Sequence, residues 1–257
     1  MICDSHGHLQ MLSEAERSAA IARARDAGVG KILVPGTTLE DSRRAVEVAE
    51  AHEGVVAAVG IHPHEAKDFD EDRVLEAFDA LLRSPKAVAV GEIGLDFHYD
   101  HSPRPAQIRA LRSQLAFARE RGLPVLLHNR ESGTEMLEAL AAEPRRPDPG
   151  VFHSFTEDAA YGERAIALGY RISFSGMLTF KAAENIRAAA RALPLASMLV
   201  ETDSPFLAPE PHRGKRCEPA FVVETARRLA LVKEVPLEEV AAATTSNFDA
   251  LFVRRSP

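Results

Sequence analysis

The sequence predicts an α/β protein that folds as one (β/α)8 TIM barrel, because short apolar runs of strand type alternate with amphipathic stretches along the whole chain. Eight such runs recur at intervals of roughly 20–37 residues, which is the spacing of βα units. Several runs are hydrophobic throughout, as expected of parallel strands that are covered on both faces. An open, doubly wound sheet is the rival architecture, but its usual early glycine-rich phosphate turn is missing here.

The order of the elements follows from these runs and from local start and stop signals. The first helix has Ser13 at an N-cap position and Glu16 three residues later, which together form a capping box, and Gly28 follows as a stop signal. The predicted strands are 1–4, 31–35, 55–60, 87–91, 125–128, 151–153, 171–175 and 198–201. The predicted helices are 13–27, 39–52, 70–83, 105–121, 131–142, 157–168, 181–192, 219–232 and 236–252.

Length and composition indicate one large globular domain, residues 1–257, with two small domains as the alternative. The two cysteines, Cys3 and Cys217, are too few for a disulfide framework and favour a reducing compartment. No segment is long and apolar enough to cross a bilayer, and Asp4 interrupts the N-terminus too early for a signal peptide. We therefore expect a cytoplasmic protein with no membrane partner and no obligate protein partner.

The formal net charge of −7 argues against broad, non-specific coating of a nucleic acid, which needs a basic face. It does not exclude a local phosphate site. Two divalent cations among two carboxylates and four neutral histidines would leave a pocket with a charge of about +2. Such a pocket can attract a polyanion that the metal-free protein repels.

Six candidate metal ligands lie at or just past the C-terminal ends of the apolar runs. In a barrel these ends meet at one face, so residues that are distant in sequence converge there. Histidine and carboxylate together suit borderline cations such as Zn²⁺, Mn²⁺ or Co²⁺. A single histidine is more often a packed core residue, but two unrelated strands that both end in histidine, beside a His-x-His pair, are hard to explain by packing. The predicted ligands are His6, His8, Glu92, His128, His153 and Asp203.

Two of these carboxylates are predicted to be catalytic, and two further acids are predicted to support them. Glu92 can bridge two cations through its two oxygens, with helix capping as the alternative role. Asp203 can bind one cation and take a proton from water. Asp4 is predicted to orient a histidine, and Glu201 to hold a histidine or the water, with a buried structural acid as the alternative for Glu201.

Three residues are candidate substrate contacts. His62, in Gly-Ile-His-Pro-His, follows the third strand and could bind substrate or stabilise developing charge. The loop Pro-His-Arg-Gly-Lys-Arg-Cys, 211–217, is basic in an acidic protein, and Arg213 is its best phosphate contact. Arg130, two residues past His128, is a secondary candidate. A solvated basic surface is the alternative reading of the loop.

The chain resembles the TatD family of metal-dependent deoxyribonucleases. The matching segments follow the family's order and span nearly the whole chain. One departure is Asn129, which stands where serine, threonine or cysteine is commoner and could alter the pocket. The segments are Asp-Ser-His-Gly-His-Leu (4–9), Gly-Ile-His-Pro-His (60–64), Gly-Glu-Ile-Gly-Leu-Asp (91–96), Pro-Val-Leu-Leu-His-Asn-Arg (124–130), Val-Phe-His-Ser-Phe (151–155), Ile-Ser-Phe-Ser-Gly (172–176), Glu-Thr-Asp-Ser-Pro-Phe-Leu-Ala-Pro (201–209) and Pro-His-Arg-Gly-Lys-Arg with Glu-Pro (211–219).

The resemblance implies a TIM barrel of the amidohydrolase type, two divalent metal ions (Zn, Mn, Mg, Co or Ni) and hydrolysis of phosphodiester bonds. It also implies a nucleic-acid substrate, DNA with RNA as the alternative, often attacked as a 3′→5′ exonuclease. The family's metal histidines correspond to His6, His8, His128 and His153. Its bridging acid corresponds to Glu92 and its catalytic aspartate to Asp203.

Two other functions stay open at the level of sequence. One is an amidohydrolase that uses the same metals on a small cyclic amide or lactone, which would need no Arg213. The other is a catalytically silent barrel that binds a partner or ligand, although the complete ligand set argues against it.

Overall fold

The computed structural model describes residues 1–253; the last four residues of the predicted domain, 254–257, lie outside the described range. Within that range, eight parallel strands form one sheet in sequence order. The strands are β1 (Ile2–Asp4), β2 (Val29–Pro35), β3 (Val55–Val59), β4 (Ala87–Asp96), β5 (Val125–Arg130), β6 (Gly150–Phe152), β7 (Arg171–Phe174) and β8 (Met198–Val200). The helices are α1 (Glu14–Asp26), α2 (Leu39–Ala51), α3 (Glu71–Leu81), α4 (Arg104–Glu120), α5 (Gly133–Ala141), α6 (Ala159–Ala167), α7 (Glu184–Ala192), α8 (Val222–Lys233) and α9 (Leu237–Phe252).

The sheet closes because the segments that follow its first and last strands bind each other. The Ser5 amide donates to the carbonyl of Val200 (3.1 Å), and the Asp203 amide donates to the carbonyl of His6 (2.8 Å). The His8 amide donates to the carbonyl of Ser204 (2.7 Å), beside the parallel bridge between Gly7 and Ser204. The predicted (β/α)8 barrel is therefore confirmed, and the open doubly wound sheet is excluded by the consecutive strand order.

Helix α9 covers the N-terminal end of the barrel, and the C-terminal end stays open. It packs against β1 and β8. Its Phe248 and Phe252 are 1% exposed and join an inner cluster with strand residues such as Cys3, Leu126 and Leu199. A second, larger cluster lies between the outside of the sheet and the surrounding helices. The N-terminal end of the barrel is thus filled by side chains, as expected for the face that contributes stability rather than catalysis.

Local signals in the sequence place the start of α1 correctly. The Ser13 hydroxyl accepts from the Glu16 amide, and a Glu16 carboxylate oxygen accepts from the Ser13 amide (3.0 Å), so the predicted capping box is confirmed. Gly28 follows the helix with a φ of +85°, a conformation that glycine adopts without strain. None of the helices in residues 1–253 has the length and apolar character needed to cross a membrane.

Strand β4 is longer than predicted, because the motif at 91–96 is part of the strand rather than a loop after it. Its glycines allow a very close approach to β5: a Cβ on Gly94 would lie 1.9 Å from the carbonyl oxygen of His128. A register irregularity falls between Val90 and Ile93, on either side of Glu92. Glu92 therefore lies within a fully buried strand and not past its end.

Candidate metal centre

The six predicted ligands come from five parts of the barrel and converge at its C-terminal mouth. His6 and His8 follow β1, Glu92 lies in β4, and His128 lies in β5. The other two, His153 and Asp203, follow β6 and β8. His6 and Glu92 are 0% and 3% exposed, so the centre lies below the protein surface.

A first group of donor atoms surrounds one carboxylate oxygen of Glu92. His6 Nε2 lies 3.3 Å from Glu92 Oε2 and 3.2 Å from His8 Nε2. His8 Nε2 lies 3.4 Å from Asp203 Oδ1, and the two remaining nitrogen–oxygen separations are 3.9 and 4.0 Å. Ligands bound tetrahedrally at about 2.0–2.2 Å are roughly 3.3–3.6 Å apart. The four donors therefore fit one divalent cation.

A second group surrounds the other oxygen of the same carboxylate. Glu92 Oε1 lies 3.0 Å from His128 Nδ1 and 3.0 Å from His153 Nε2, and these two nitrogens are 3.4 Å apart. His62 Nε2 lies 3.4 Å from the same oxygen. Glu92 thus offers one oxygen to each group, which is the arrangement of a bridging carboxylate. The donor set suits divalent metal ions.

Two carboxylates outside these groups fix the orientation of the second pair of histidines. Asp96 Oδ2 accepts from Nε2 of His128 (3.0 Å), so that Nδ1 faces Glu92. Glu201 Oε1 accepts from Nδ1 of His153 (3.2 Å) and from the Ser154 amide (2.8 Å), so that Nε2 of His153 faces Glu92. A hydrogen bond to one ring nitrogen sets the tautomer and leaves the other nitrogen available as a ligand.

Asp4 contacts the backbone of His6, a proposed ligand. Its carboxylate is completely buried and accepts from the amides of His6 (3.3 Å) and Thr202 (2.9 Å) and from the Thr202 hydroxyl (2.6 Å). The predicted role of Asp4, to orient a histidine, is compatible with this contact and stays a prediction. Asp4 joins the end of β1 to the loop after β8. Burial raises the pKa of this carboxyl to about 8.

The proximity of carboxylates and imidazoles shifts the pKa values of both. Burial disfavours the charged form of His153, but Glu92 and Glu201 outweigh this effect and raise the pKa of His153 well above its ordinary value. Burial also opposes ionisation of Glu92, yet the surrounding imidazoles hold its pKa well below the usual range. His62 differs, because burial dominates and lowers its pKa to about 4. The centre is thus built to concentrate negative charge on carboxylates, where a cation would bind.

The three predicted substrate contacts lie in different places. His62 lines the cavity above the donor groups, and its Nδ1 accepts from the His64 amide (3.2 Å). Arg213 is not among the residues that line this cavity; its guanidinium covers the Phe180 ring at 3.9 Å and donates to the carbonyl of Ala208. Arg130 also lies outside the lining, with its guanidinium 4.8 Å from the centroid of Tyr99. Phosphate binding by these arginines stays a prediction.

A cavity of about 480 Å³ opens above the donor atoms, large enough for a small ligand. Sequence reasoning missed several of its lining residues. Asp96 was not assigned to a histidine, although it ends the motif that contains Glu92. The aromatic and apolar residues of the lining gave no periodic signal, because each lies in a short segment outside the α-helices and strands. These residues are Met11, Tyr99 and Phe206.

Donor atoms of this kind at the mouth of a barrel place the protein among the metal-dependent hydrolases. The family described as TatD related DNase matches residues 3–253, and the chain belongs to that family. Among its relatives, the metal-dependent hydrolase YabD from Bacillus subtilis (strain 168) is 36% identical over 253 residues, which cover 98% of this chain and 99% of the relative.

Two relatives from Escherichia coli K12 support the same assignment. The metal-dependent hydrolase YcfH is 38% identical over 258 aligned positions, covering 98% of this chain and 95% of the relative. The crystal structure of YJJV, a TatD homolog, superposes with a TM-score of 0.90 at 35% identity, covering 99% of this chain and 98% of that chain. The expected resemblance to the TatD family is therefore confirmed over nearly the full length.

Proposed function

We propose that this protein is a metal-dependent phosphodiesterase that hydrolyses DNA, acting as a 3′→5′ exonuclease. The observation that carries the proposal is the position of Glu92, whose two carboxylate oxygens face two separate groups of donors. The first group contains His6, His8 and Asp203, and the second contains His128 and His153. Paired sites of this kind recur in phosphatases and nucleases. Membership in a family described as TatD related DNase supports DNA as the substrate.

The residues present fit two divalent cations. His6, His8, Asp203 and one oxygen of Glu92 would hold the first, while His128, His153 and the other oxygen of Glu92 would hold the second. Such cations supply positive charge that acidifies water and offsets the charge developing on a phosphate.

Asp203 is the proposed proton acceptor for the attacking water. Burial opposes its ionisation, but the hydrogen bond from His8 and the neighbouring imidazoles lower its pKa, so the carboxylate is ionised at neutral pH. Its amide donates to the carbonyl of His6, which fixes the backbone of the loop. Its Oδ1 faces His8 and His6, and the second oxygen of the same carboxylate can accept a proton from water.

The test is an assay on 5′- and 3′-labelled oligonucleotides, single- and double-stranded, with protein that has been depleted of metal and then reconstituted. We expect hydrolysis that requires a divalent cation and proceeds from the 3′ end. Asp203→Asn should lower kcat by about 10²–10⁴-fold with little change in the circular dichroism spectrum. Glu131→Gln, a change at an exposed carboxylate, is the control. Near-parental turnover of Asp203→Asn would contradict the role of Asp203, and no cleavage with any metal would contradict the nuclease function.

A second candidate function is hydrolysis of a small cyclic amide or lactone. It is favoured by one observation: neither Arg213 nor Arg130 lines the cavity, and a neutral amide or lactone needs no guanidinium to bind it. The same metals and the same proton acceptor would serve this reaction. A panel of lactones and hydantoins, assayed with the same metal-loaded preparation, separates the two functions. Turnover of a panel member together with inert DNA would replace the nuclease proposal.

A further inference from the structure

The mouth of the metal centre exposes an unusual share of the protein's large apolar side chains. Within residues 1–253, six such side chains are exposed, and three of them line this one cavity. Tyr99 and Phe206 are each 51% exposed, and Met11 is 45% exposed. Single exposed apolar residues are ordinary, but a group of them beside a polar site indicates a surface that binds something apolar.

Phe206 stands next to the first donor group. It lies three residues after Asp203, and its amide donates to the carbonyl of Asp203 (2.8 Å), which closes a turn. Its ring is edge-on to the ring of His8, with 6.2 Å between the centroids. The exposed Phe206 ring is therefore in direct contact with His8, a ligand of the first donor group.

Tyr99 stands on the side of the second donor group. Its amide donates to Oδ1 of Asp96 (2.9 Å), the same carboxylate whose other oxygen holds His128. Its ring is edge-on to His64 (5.7 Å) and parallel to the ring of His101 (5.7 Å, 8°). The guanidinium of Arg130 lies over this ring, 4.8 Å from its centroid, although Tyr99 is 51% exposed; a base that stacks on the face under Arg130 would take the place of the guanidinium. The backbone of Tyr99 is thus held by the same carboxylate that orients His128, a proposed metal ligand.

We propose that Phe206 and Tyr99 are stacking sites for the two nucleobases that flank the scissile phosphate, one base on each ring. This inference rests on the proposed phosphodiesterase function and names the part of the substrate that the cavity recognises. Every base has a π-face, so aromatic platforms bind nucleic acid without reading its sequence. The net charge of −7 leaves little affinity to be gained along the phosphate backbone, and base stacking supplies affinity that charge does not.

The chemistry of the rim favours bases over other apolar groups. Flat rings that are exposed and pre-oriented by a backbone hydrogen bond match planar ligands, whereas an aliphatic chain would need an enclosed apolar slot. Each aromatic residue is hydrogen-bonded to a different donor group: the Phe206 amide to the carbonyl of Asp203, and the Tyr99 amide to Asp96, which contacts His128. A phosphate held by both donor groups would therefore have Phe206 near it at the first group and Tyr99 near it at the second.

The test uses the full-length, metal-loaded enzyme and the dinucleotide thymidylyl-thymidine. Two analogues each replace one base by an abasic tetrahydrofuran. For the parental enzyme, removing either base should raise KM by about 5- to 150-fold, the range measured for stacking on an aromatic residue. Phe206→Leu should abolish the penalty for removing one of the bases, and Tyr99→Leu should abolish the penalty for the other.

Conservative variants and a distant control separate stacking from general damage. Phe206→Trp and Tyr99→Phe keep an aromatic ring and should keep the penalty. Leu231→Ala removes an apolar side chain that is 72% exposed on α8 and is not part of the cavity lining, and it should also keep the penalty. Binding is measured in parallel with the methylphosphonate analogue of the dinucleotide, which resists hydrolysis, so that the result does not depend on turnover.

The outcomes distinguish this inference from the proposed function. If DNA is hydrolysed but the abasic analogues keep the parental KM, or the leucine variants keep the penalty, the stacking sites are refuted while the nuclease function stands. If no phosphodiester is hydrolysed but both rings are needed to bind the methylphosphonate, the nuclease function fails and the base sites stand. If neither bases nor rings affect binding, the rim serves another partner and the inference is overturned.

Discussion

Asp96 and Glu201 have parallel roles at the scale of single residues. Each accepts a hydrogen bond from the ring nitrogen that faces away from Glu92, Asp96 from His128 and Glu201 from His153. Both acids are fully buried, so their alternative partners are limited to the groups already in place. The second donor group is therefore oriented by two carboxylates, and damage to either should be felt mainly by the second cation.

Asp96→Asn tests this division between the two groups. The amide nitrogen of asparagine would donate to Nε2 of His128 and force a proton onto Nδ1, the atom that should bind metal. We expect the affinity of one Zn²⁺ site, the site that contains His128, to fall about 10–100-fold. Calorimetric titration of the metal-free protein resolves the two events, and the other event should keep its affinity.

The matched control for this variant is Glu131→Gln. Glu131 also lies beside a histidine ring, 2.7 Å from Nδ1 of His98, but both side chains are exposed and outside the donor groups. The Glu131→Gln variant should bind two equivalents of Zn²⁺ with the affinities of the parental protein. Equal weakening of both sites by Asp96→Asn would show that the carboxylate supports the whole centre rather than His128 alone.

Metal binding should release protons, because the carboxylates of the centre favour the protonated form of three imidazoles that bind a cation only when neutral. Burial opposes the charge on His8, His128 and His153, but neighbouring carboxylates outweigh it and raise all three pKa values. Only the neutral ring binds a cation, so affinity should rise with pH through the raised pKa values, about tenfold per pH unit for each proton released. His62 should contribute nothing above pH 5, since its pKa is about 4.

Calorimetry in buffers of different ionisation enthalpy measures the number of protons released per cation. The count should be larger at pH 6 than at pH 8, because the three pKa values are raised. The stability of the metal-free protein should also fall as the pH rises through the raised pKa values, because pairing between imidazolium and carboxylate is lost there. Proton-independent binding between pH 6 and pH 8 would contradict the raised pKa values of these histidines.

At the scale of elements, strand β4 shows both the success and the limit of prediction from sequence. The apolar part, Ala-Val-Ala-Val, predicts a buried strand, and the structure contains it. The following Gly-Glu-Ile-Gly-Leu-Asp looks like a loop, because glycine, glutamate and aspartate are depleted in strands. Its strand character depends on how closely β5 approaches, which is a contact between distant segments. Local composition cannot report such a contact.

Gly94 is the residue on which this approach depends, and Gly94→Ala tests it. Its φ is +151°, and a Cβ would lie 1.9 Å from the carbonyl oxygen of His128, a backbone atom that cannot move without shifting a proposed ligand. We expect a loss of about 1–3 kcal/mol or more of unfolding free energy and weaker binding at the site that contains His128. Denaturant unfolding and Zn²⁺ titration measure the two effects.

Gly122→Ala is the control for the effect of backbone conformation alone. Gly122 also has a positive φ (+64°), but nothing lies within 4 Å of a Cβ at that position. It should cost only about 1 kcal/mol and leave metal affinity unchanged. Similar losses from both variants would mean that the close approach between β4 and β5 is not what Gly94 provides.

At the scale of the whole molecule, the fold was more accessible from sequence than the substrate surface. Strand-type runs at βα spacing predicted the barrel, and titratable residues at strand ends predicted the cluster of donor atoms, because the barrel brings all strand ends to one face. Metal binding by that cluster stays a prediction. Tyr99 and Phe206 were missed, since their roles depend on which loops meet above that face. The hydrogen bond of Asp96 to His128 and that of Asp4 to Thr202 could not be predicted for the same reason: Thr202 is 198 positions away from Asp4 in the chain.

The two ends of the barrel should therefore be separable by mutation. Phe248 is 1% exposed in the inner cluster beneath the strands, where α9 covers the N-terminal end, and it lines no part of the metal cavity. Phe248→Ala should lower the free energy of unfolding by about 3–5 kcal/mol, through lost burial and a cavity in the cluster. Below its unfolding temperature, the variant should keep the parental Zn²⁺ affinities and kcat, because the donor atoms are positioned by the opposite ends of the strands.

Denaturant unfolding, metal titration and the oligonucleotide assay are run on one preparation of Phe248→Ala. Leu231→Ala, a change at an exposed side chain, is the control that should alter none of the three results. A fall in metal affinity that parallels the loss of stability would mean that the packing of the inner cluster also sets the geometry of the centre.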